Sequence, residues 1–192
     1  MNETGAFESF IRRTINCLDK IKANYCIVGA IAASYYGSVR STEDLDIIID
    51  LSFTDEETIK QLANCLLENK IDLIETDMVH GLREKSHITA FDTETYFYRI
   101  HFKGVCTAID RETMEQKIQK IILNDLMVCL TPPELQIIAK LLPGMNSEKD
   151  ILDIKNILIS YKKDLNQLLL VELSQRFGVK QKLEEIFNEL AL

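Results

Sequence analysis

The sequence predicts an α+β fold, with a small mixed sheet flanked by helices and a helical C-terminal lobe. Three observations predict it. Short apolar runs of strand type, such as Tyr25-Cys26-Ile27-Val28 and Leu45 to Leu51, alternate with amphipathic helical stretches through the first 131 residues. After Pro132-Pro133 the strand-type runs stop and nearly all of the chain reads as helix. Hydrophobic residues make up 46% and charged residues 27% of the 192 residues, the composition of a globular chain large enough for one sizeable core or a core plus a small lobe. The expected division is residues 1–131 for the α+β part and 132–192 for the helical part.

Phe7, Phe10, Ile11, Leu18 and Ile21 follow one face of a helix over residues 7–21. Residues 25–28 form an apolar strand that ends in Gly29. The small residues 30–36 make a short helix closed by Gly37. Residues 45–51 make a second strand, and Thr54 with its acidic followers opens a helix to about Asn69. Residues 72–76 read as a strand. Residues 96–102 and 105–109 read as a hairpin about Lys103-Gly104, with one or two short strands around Asn124-Asp125. The helical part has breaks near Pro143-Gly144, Ser160 to Asp164 and Gly178.

Composition excludes several classes. No apolar run approaches the roughly 20 residues of a spanning helix, since Leu165 to Leu173 is broken by Asn166, Gln167 and Glu172. No signal-type N-terminus is present, so the expected location is the cytoplasm, with no membrane association. The five cysteines have no zinc-finger spacing and sit among apolar neighbours, as buried free thiols do. The three histidines form no i, i+4 pair and carry little weight as metal ligands. The net charge of −8 argues against general DNA binding, which draws its affinity from phosphate neutralisation, but allows a local basic patch for an RNA or a nucleotide.

The chemistry concentrates between residues 28 and 49. The strand ending at Gly29 runs straight into a helix. Glycine permits close backbone approach, and a helix N-terminus offers free N–H groups that suit a phosphate. Asp44 and Asp46 open the second strand two residues apart, so both carboxylates project to one face. Two hard oxygen ligands side by side suit a magnesium ion that carries nucleotide phosphates. A bare Asp-x-Asp is more often a solvated strand entrance. Here the following Ile47-Ile48-Ile49 is a buried-type strand, where paired carboxylates repel without a counter-cation, and Gly29 and Arg40 flank the pair.

Gly29-Ala30, the Ala-Ser run ending at Ser34, and Arg40-Ser-Thr42-Glu-Asp44-Leu-Asp46 resemble the nucleotidyltransferase (DNA polymerase β-like) superfamily, most of all its minimal and AbiEii-type members, many of them toxin–antitoxin or phage-defence proteins. Thr131-Pro-Pro-Glu-Leu135, Lys140 and Lys149-Asp-Ile-Leu-Asp153 resemble the helical segment that follows the catalytic domain there. The resemblance covers residues 24–158 and implies transfer of a nucleoside monophosphate from a nucleoside triphosphate to a hydroxyl of an RNA, a protein or a small molecule. It implies Mg2+ or Mn2+ as cofactor, held by Asp44, Asp46 and a third carboxylate on an adjacent strand. Asp110 matches that third position, with helix capping as its competing role and Glu112 as its rival. Gly29, Ala30, Ser34, Arg40, Thr42 and Lys140 are implied as nucleotide-binding residues. An antitoxin or a second copy of the chain is implied as partner. Lys140 reads equally as a solvated helix lysine, and Asp153 as a structural ion-pair partner of Lys140 or Arg40. One departure is Ala30, where the superfamily has glycine or serine. It removes a hydroxyl and keeps open a second reading, a degenerate member that binds nucleotide or a partner without catalysis.

Overall fold

A computed structural model of the protein describes residues 3–52, 54–81, 87–144 and 147–191. The elements run α1 (Glu3–Lys20), β1 (Asn24–Val28), α2 (Gly29–Tyr35), β2 (Asp44–Asp50), α3 (Glu56–Glu68), β3 (Ile71–Asp72), α4 (Glu75–Gly81), β4 (His87–Asp92), β5 (Arg99–Gly104), α5 (Ala108–Gln116), β6 (Ile118–Ile122), β7 (Leu126–Leu130), α6 (Pro133–Leu141), α7 (Glu148–Ser160), α8 (Gln167–Arg176) and α9 (Lys180–Leu190). Among the described residues the strands form one mixed sheet, ordered β3-β4-β5-β2-β1-β7-β6. β1 and β2 are antiparallel, with Val28 opposite Asp46, and β5 runs parallel to β2, with His101 opposite Asp46.

Period-2 alternation divides β2 cleanly. Leu45, Ile47 and Ile49 are buried in the main core with Ile100 and Phe102 of β5. Asp44 and Asp46 stand on the opposite face. The apolar core continues from the strands into α6, α7, α8 and α9, through Leu135, Ile138, Ile154, Leu170 and Leu183. Thr131 links β7 to α6: its N–H donates to the Ile27 carbonyl, and its own carbonyl accepts from the buried Tyr36 hydroxyl. No helix among the described residues is long and apolar enough to cross a membrane.

Several expected elements differ. Residues 105–109 are not a strand: Thr107 caps α5 in a capping box with Asp110, and that reciprocal bonding fixes helix rather than extended backbone. The hairpin instead joins β4 to β5 across residues 93–98, where Asp92 accepts from Thr95 N–H and from its hydroxyl to shape the turn. The strand expected over 72–76 reduces to Ile71–Asp72, and α4 begins at Glu75. The cap of α3 is Asp55, which accepts from the Thr58 N–H, rather than Thr54. The helical breaks at 143–144, 160–164 and 178 lie where expected; the one or two short strands expected around Asn124-Asp125 are β6 and β7, a hairpin that starts earlier, at Ile118, and turns through positive φ at Leu123 and Asn124. The five-thiol expectation is also corrected. Cys17 of α1 and Cys65 of α3 form a disulfide with Cα atoms 5.7 Å apart, and Cys26, Cys106 and Cys129 take no part in it. The reason is packing: α1 and α3 lie side by side on the sheet and bring the two thiols together from 48 residues apart.

Candidate active site

Gly29 adopts φ +67°, and a β-carbon there would collide with the Asp46 carboxylate. Glycine is therefore required twice, once for the left-handed backbone and once for the space that Asp46 fills. Gln136 of α6 fixes the same turn by donating from Nε2 to the Gly29 carbonyl at 2.8 Å. Burial pushes the Asp46 carboxyl above the usual carboxylate range, and nearby Asp44 pushes it further. His101, the Ala30 backbone N–H and Lys140 act in the opposite direction. One of the N-terminal N–H groups of α2, that of Ala30, thus already serves Asp46. With seven residues, α2 is also a weaker phosphate site than its motif implied. Replacing Gly29 by alanine is expected to destabilise the chain by about 1–3 kcal/mol and to displace Asp46. Thermal melting checks the first effect. An unchanged melting temperature would contradict this account of the turn.

Asp44 faces a different environment. Arg99 Nε donates to its Oδ1 at 2.8 Å, and His101 Nε2 lies 3.7 Å from the same oxygen. The other ring nitrogen of His101 is 3.1 Å from the Thr89 hydroxyl, so the imidazole is held between β4 and β2. The strand beside Asp44 and Asp46 therefore presents Arg99, His101 and Lys103 on their face. The sequence reading missed these three residues. The signal for Arg99 and His101 was their every-second-residue spacing in a stretch already read as a strand; Lys103, read as part of a turn with Gly104, lies instead in β5.

Asp110 lies at the third position of α5 and is 2% exposed. One of its oxygens accepts from Lys103 Nζ at 2.7 Å, and the other accepts from the Cys106 and Thr107 N–H groups. Burial raises its pKa, but the Lys103 and Thr107 hydrogen bonds outweigh burial and leave it below the usual carboxylate range. Both oxygens of Asp110 are engaged, as its helix-capping role requires. Even so, Asp110 lines one cavity of about 440 Å³ together with Gly29, Asp46, His101, Lys103 and Lys140. Glu112 is bound instead to Arg176 of α8 at 2.7 Å.

The expected nucleotide-binding residues divide. Gly29 and Lys140 line the cavity of Asp46, whereas Ser34, Arg40 and Thr42 line a second cavity of about 860 Å³, and Ala30 is buried. Lys140 is 4% exposed and holds Asp150 at 2.7 Å and Asp153 at 2.8 Å. Arg40 Nε lies 3.3 Å from Asp153, and the Ser38 hydroxyl donates to Asp153 at 2.5 Å. This buried cluster ties α6 and α7 to the loop that leads into Asp44.

Asp44 and Asp46 fit one divalent ion, because two hard carboxylates stand on one face and the more buried one already shows the cost of burial as a raised pKa. A three-carboxylate set is not assembled. Among the described residues no three metal-ligating side chains converge.

No protein-family model matches the chain, and no curated protein matches it. Solved structures do. A crystal structure of ANT(2")-Ia in complex with adenylyl-2"-tobramycin superimposes with TM-score 0.54 at 13% identity, covering 88% of this chain and 97% of that one. A solution structure of the antibiotic-resistance factor ANT(2'')-Ia gives 0.56 at 12% identity, covering 95% and 98%. An antigenic nucleotidyltransferase-like protein from Paracoccidioides brasiliensis gives 0.52 at 17% identity, covering 94% and 92%. At these identities the likeness is one of backbone architecture along almost the whole chain, and the architecture is that of a nucleotidyltransferase fold.

Proposed function

We propose that this protein transfers a nucleoside monophosphate from a nucleoside triphosphate to a hydroxyl acceptor, with Mg2+ or Mn2+ held by Asp44 and Asp46. The observation that carries the reading is the pair itself: two carboxylates on one face of β2, packed against the Gly29 turn, in a fold shared with nucleotidyltransferases. The transfer joins the acceptor oxygen to the α-phosphorus and breaks the bond to the leaving pyrophosphate. A bound divalent ion supplies charge neutralisation on the phosphates. The chain supplies the rest. Gln136 and Gly29 hold Asp46 in place, Thr89 orients His101, and Lys103 and Lys140 line the cavity while paired with Asp110 and with Asp150 and Asp153. Asp110 contributes by holding Lys103 at that wall.

One observation favours a second reading, a non-catalytic member that binds nucleotide or a partner. The strand beside Asp44 carries Arg99 and His101 where a third carboxylate is implied, and Arg99 already pairs with Asp44. A cytoplasmic location is part of the first reading. The Cys17–Cys65 bond weighs against it, since disulfides favour oxidising compartments.

Incubation with each α-labelled nucleoside triphosphate, Mg2+ or Mn2+ and cell extract separates the readings. One labelled RNA, protein or small molecule is expected. Its capture would also reveal whether the acceptor is an RNA, a protein or a small molecule. Triphosphate binding without any labelled product would favour the non-catalytic reading. Neither binding nor transfer would overturn both.

A further inference from the structure

Three basic side chains border the carboxylate pair, and two of them are engaged elsewhere. Lys103 is held by Asp110 at 2.7 Å, and Lys140 by Asp150 and Asp153. Arg99 differs because its partner, Asp44, is itself one of the two proposed metal ligands. Parallel pairing of β5 with β2 sets Arg99 opposite Asp44, and the Arg99 backbone N–H donates to the Glu43 carbonyl. The backbone thus anchors the guanidinium beside the carboxylate. Arg99 Nε donates to Asp44 Oδ1 at 2.8 Å, the same oxygen that lies 3.7 Å from His101 Nε2.

A guanidinium is cationic throughout the working pH range. On Asp44 it neutralises one of the two carboxylates that a divalent ion needs, and it repels the ion directly. The contact is also easy to break. Arg99 and Asp44 keep 42% and 35% of their side chains in solvent, where an ion pair contributes little to stability. The Lys140 cluster is buried and has no such freedom. Arg99 reaches Asp44 through Nε, so the other N–H donors of its planar fork are not used by that carboxylate. Such a fork suits phosphate oxygens, which it binds in bidentate fashion.

We propose that Arg99 is a charge lock on the metal site: it holds Asp44, and yields it only when a divalent ion arrives with a polyphosphate whose oxygens accept the guanidinium. A bare ion offers no such exchange and binds weakly. The Arg99–Asp44 pair is then a reversible resting contact and not the mark of an inert site. This rests on the metal reading of Asp44 and Asp46 but is tested separately from it.

Mn2+ alone is titrated into the full chain and followed by the electron paramagnetic resonance of the free ion. Arg99→Met keeps the stem and removes the charge, and it is expected to bind Mn2+ about tenfold more tightly than the parent. Arg99→Lys keeps the charge and is expected to stay within about threefold of the parent. Calorimetry with preformed manganese tripolyphosphate should show the opposite sign, with Arg99→Met weaker by about fivefold or more. A contact that merely ordered Asp44 would weaken both ligands together. Bare Mn2+ bound equally or less tightly by Arg99→Met would overturn the lock and leave the metal reading standing. So would Arg99→Lys binding as tightly as Arg99→Met. Manganese tripolyphosphate bound as tightly by Arg99→Met as by the parent would remove the exchange and overturn the proposal. Absence of Mn2+ binding in all three chains would overturn the metal reading and the lock together.

Discussion

Replacement of Asp46 by asparagine is expected to cut nucleotide transfer by on the order of 10³-fold while leaving the chain as stable as before, or more so, at neutral pH. Asparagine keeps the shape that fills the space beside Gly29 but loses the charge that holds a cation. The stability half follows from the titration of Asp46. Burial lifts its pKa, so the folded chain keeps the proton to a higher pH than the unfolded chain does. The ionised carboxylate then costs stability as pH rises through the interval between the two values, and the cost is full at neutral pH. The amide escapes that cost above the interval and has no advantage below the ordinary carboxylate range. Thermal melts of both proteins across pH 3–8, roughly the span of perturbed carboxylates, check the sign, and labelled transfer checks the activity. A variant that melts well below the parent at neutral pH would make Asp46 a structural residue and remove the main support for the metal site.

Lys140→Met is expected to lower stability by about 3–5 kcal/mol, because it leaves Asp150 and Asp153 in the interior without their shared cation. For a chain of this size that corresponds to a fall in melting temperature of roughly 10 °C or more. Asp150 adds a pH signature. Burial raises its pKa, but the hydrogen bonds from Lys140 and Ser147 outweigh burial and depress it. The stability it contributes is full above the ordinary carboxylate pKa and is lost as pH falls toward the depressed folded value. The Lys140→Met deficit should therefore shrink in acid. The double variant Lys140→Met/Asp153→Asn should recover part of the loss at neutral pH. A Lys140→Met chain that melts like the parent but binds triphosphate weakly would restore Lys140 as a nucleotide ligand and refute the structural role.

Local pattern was enough for much of the architecture. Val28-Gly29, Asp44-x-Asp46 and Ile47 to Ile49 each announce themselves through rules that act over a few residues: alternation across a strand, a glycine at a positive φ, a helix that cannot continue past Gly178. The two carboxylates share a face because strand periodicity leaves them no alternative. The β6–β7 hairpin and the helical breaks are legible for the same reason. The failures have a physical cause in common. Residues 105–109 satisfy a strand pattern and a helix start equally well, and the Thr107–Asp110 capping box decides between them. With that choice, Asp110 leaves the strand beside Asp46 and becomes a cap that grips Lys103.

What the sequence alone determined is the chemistry of single segments: the carboxylate pair, the glycine before it, the strand that carries it and the helical character of the last third. What only the tertiary structure decided is which segments meet. Sheet order put β5 beside β2, and so put Arg99 and His101 opposite Asp44 and Asp46. Packing of α6 on α2 set Gln136 on Gly29, and packing of α7 buried Lys140 between two aspartates. The approach of α1 and the 93–98 turn built the second cavity, of about 860 Å³. The physical reason is range. Hydrogen-bonding periodicity and backbone sterics act between neighbours in the chain and are written there residue by residue. The partners of a buried charge or ring are set by burial of apolar surface across the whole sheet, which no single stretch of sequence encodes.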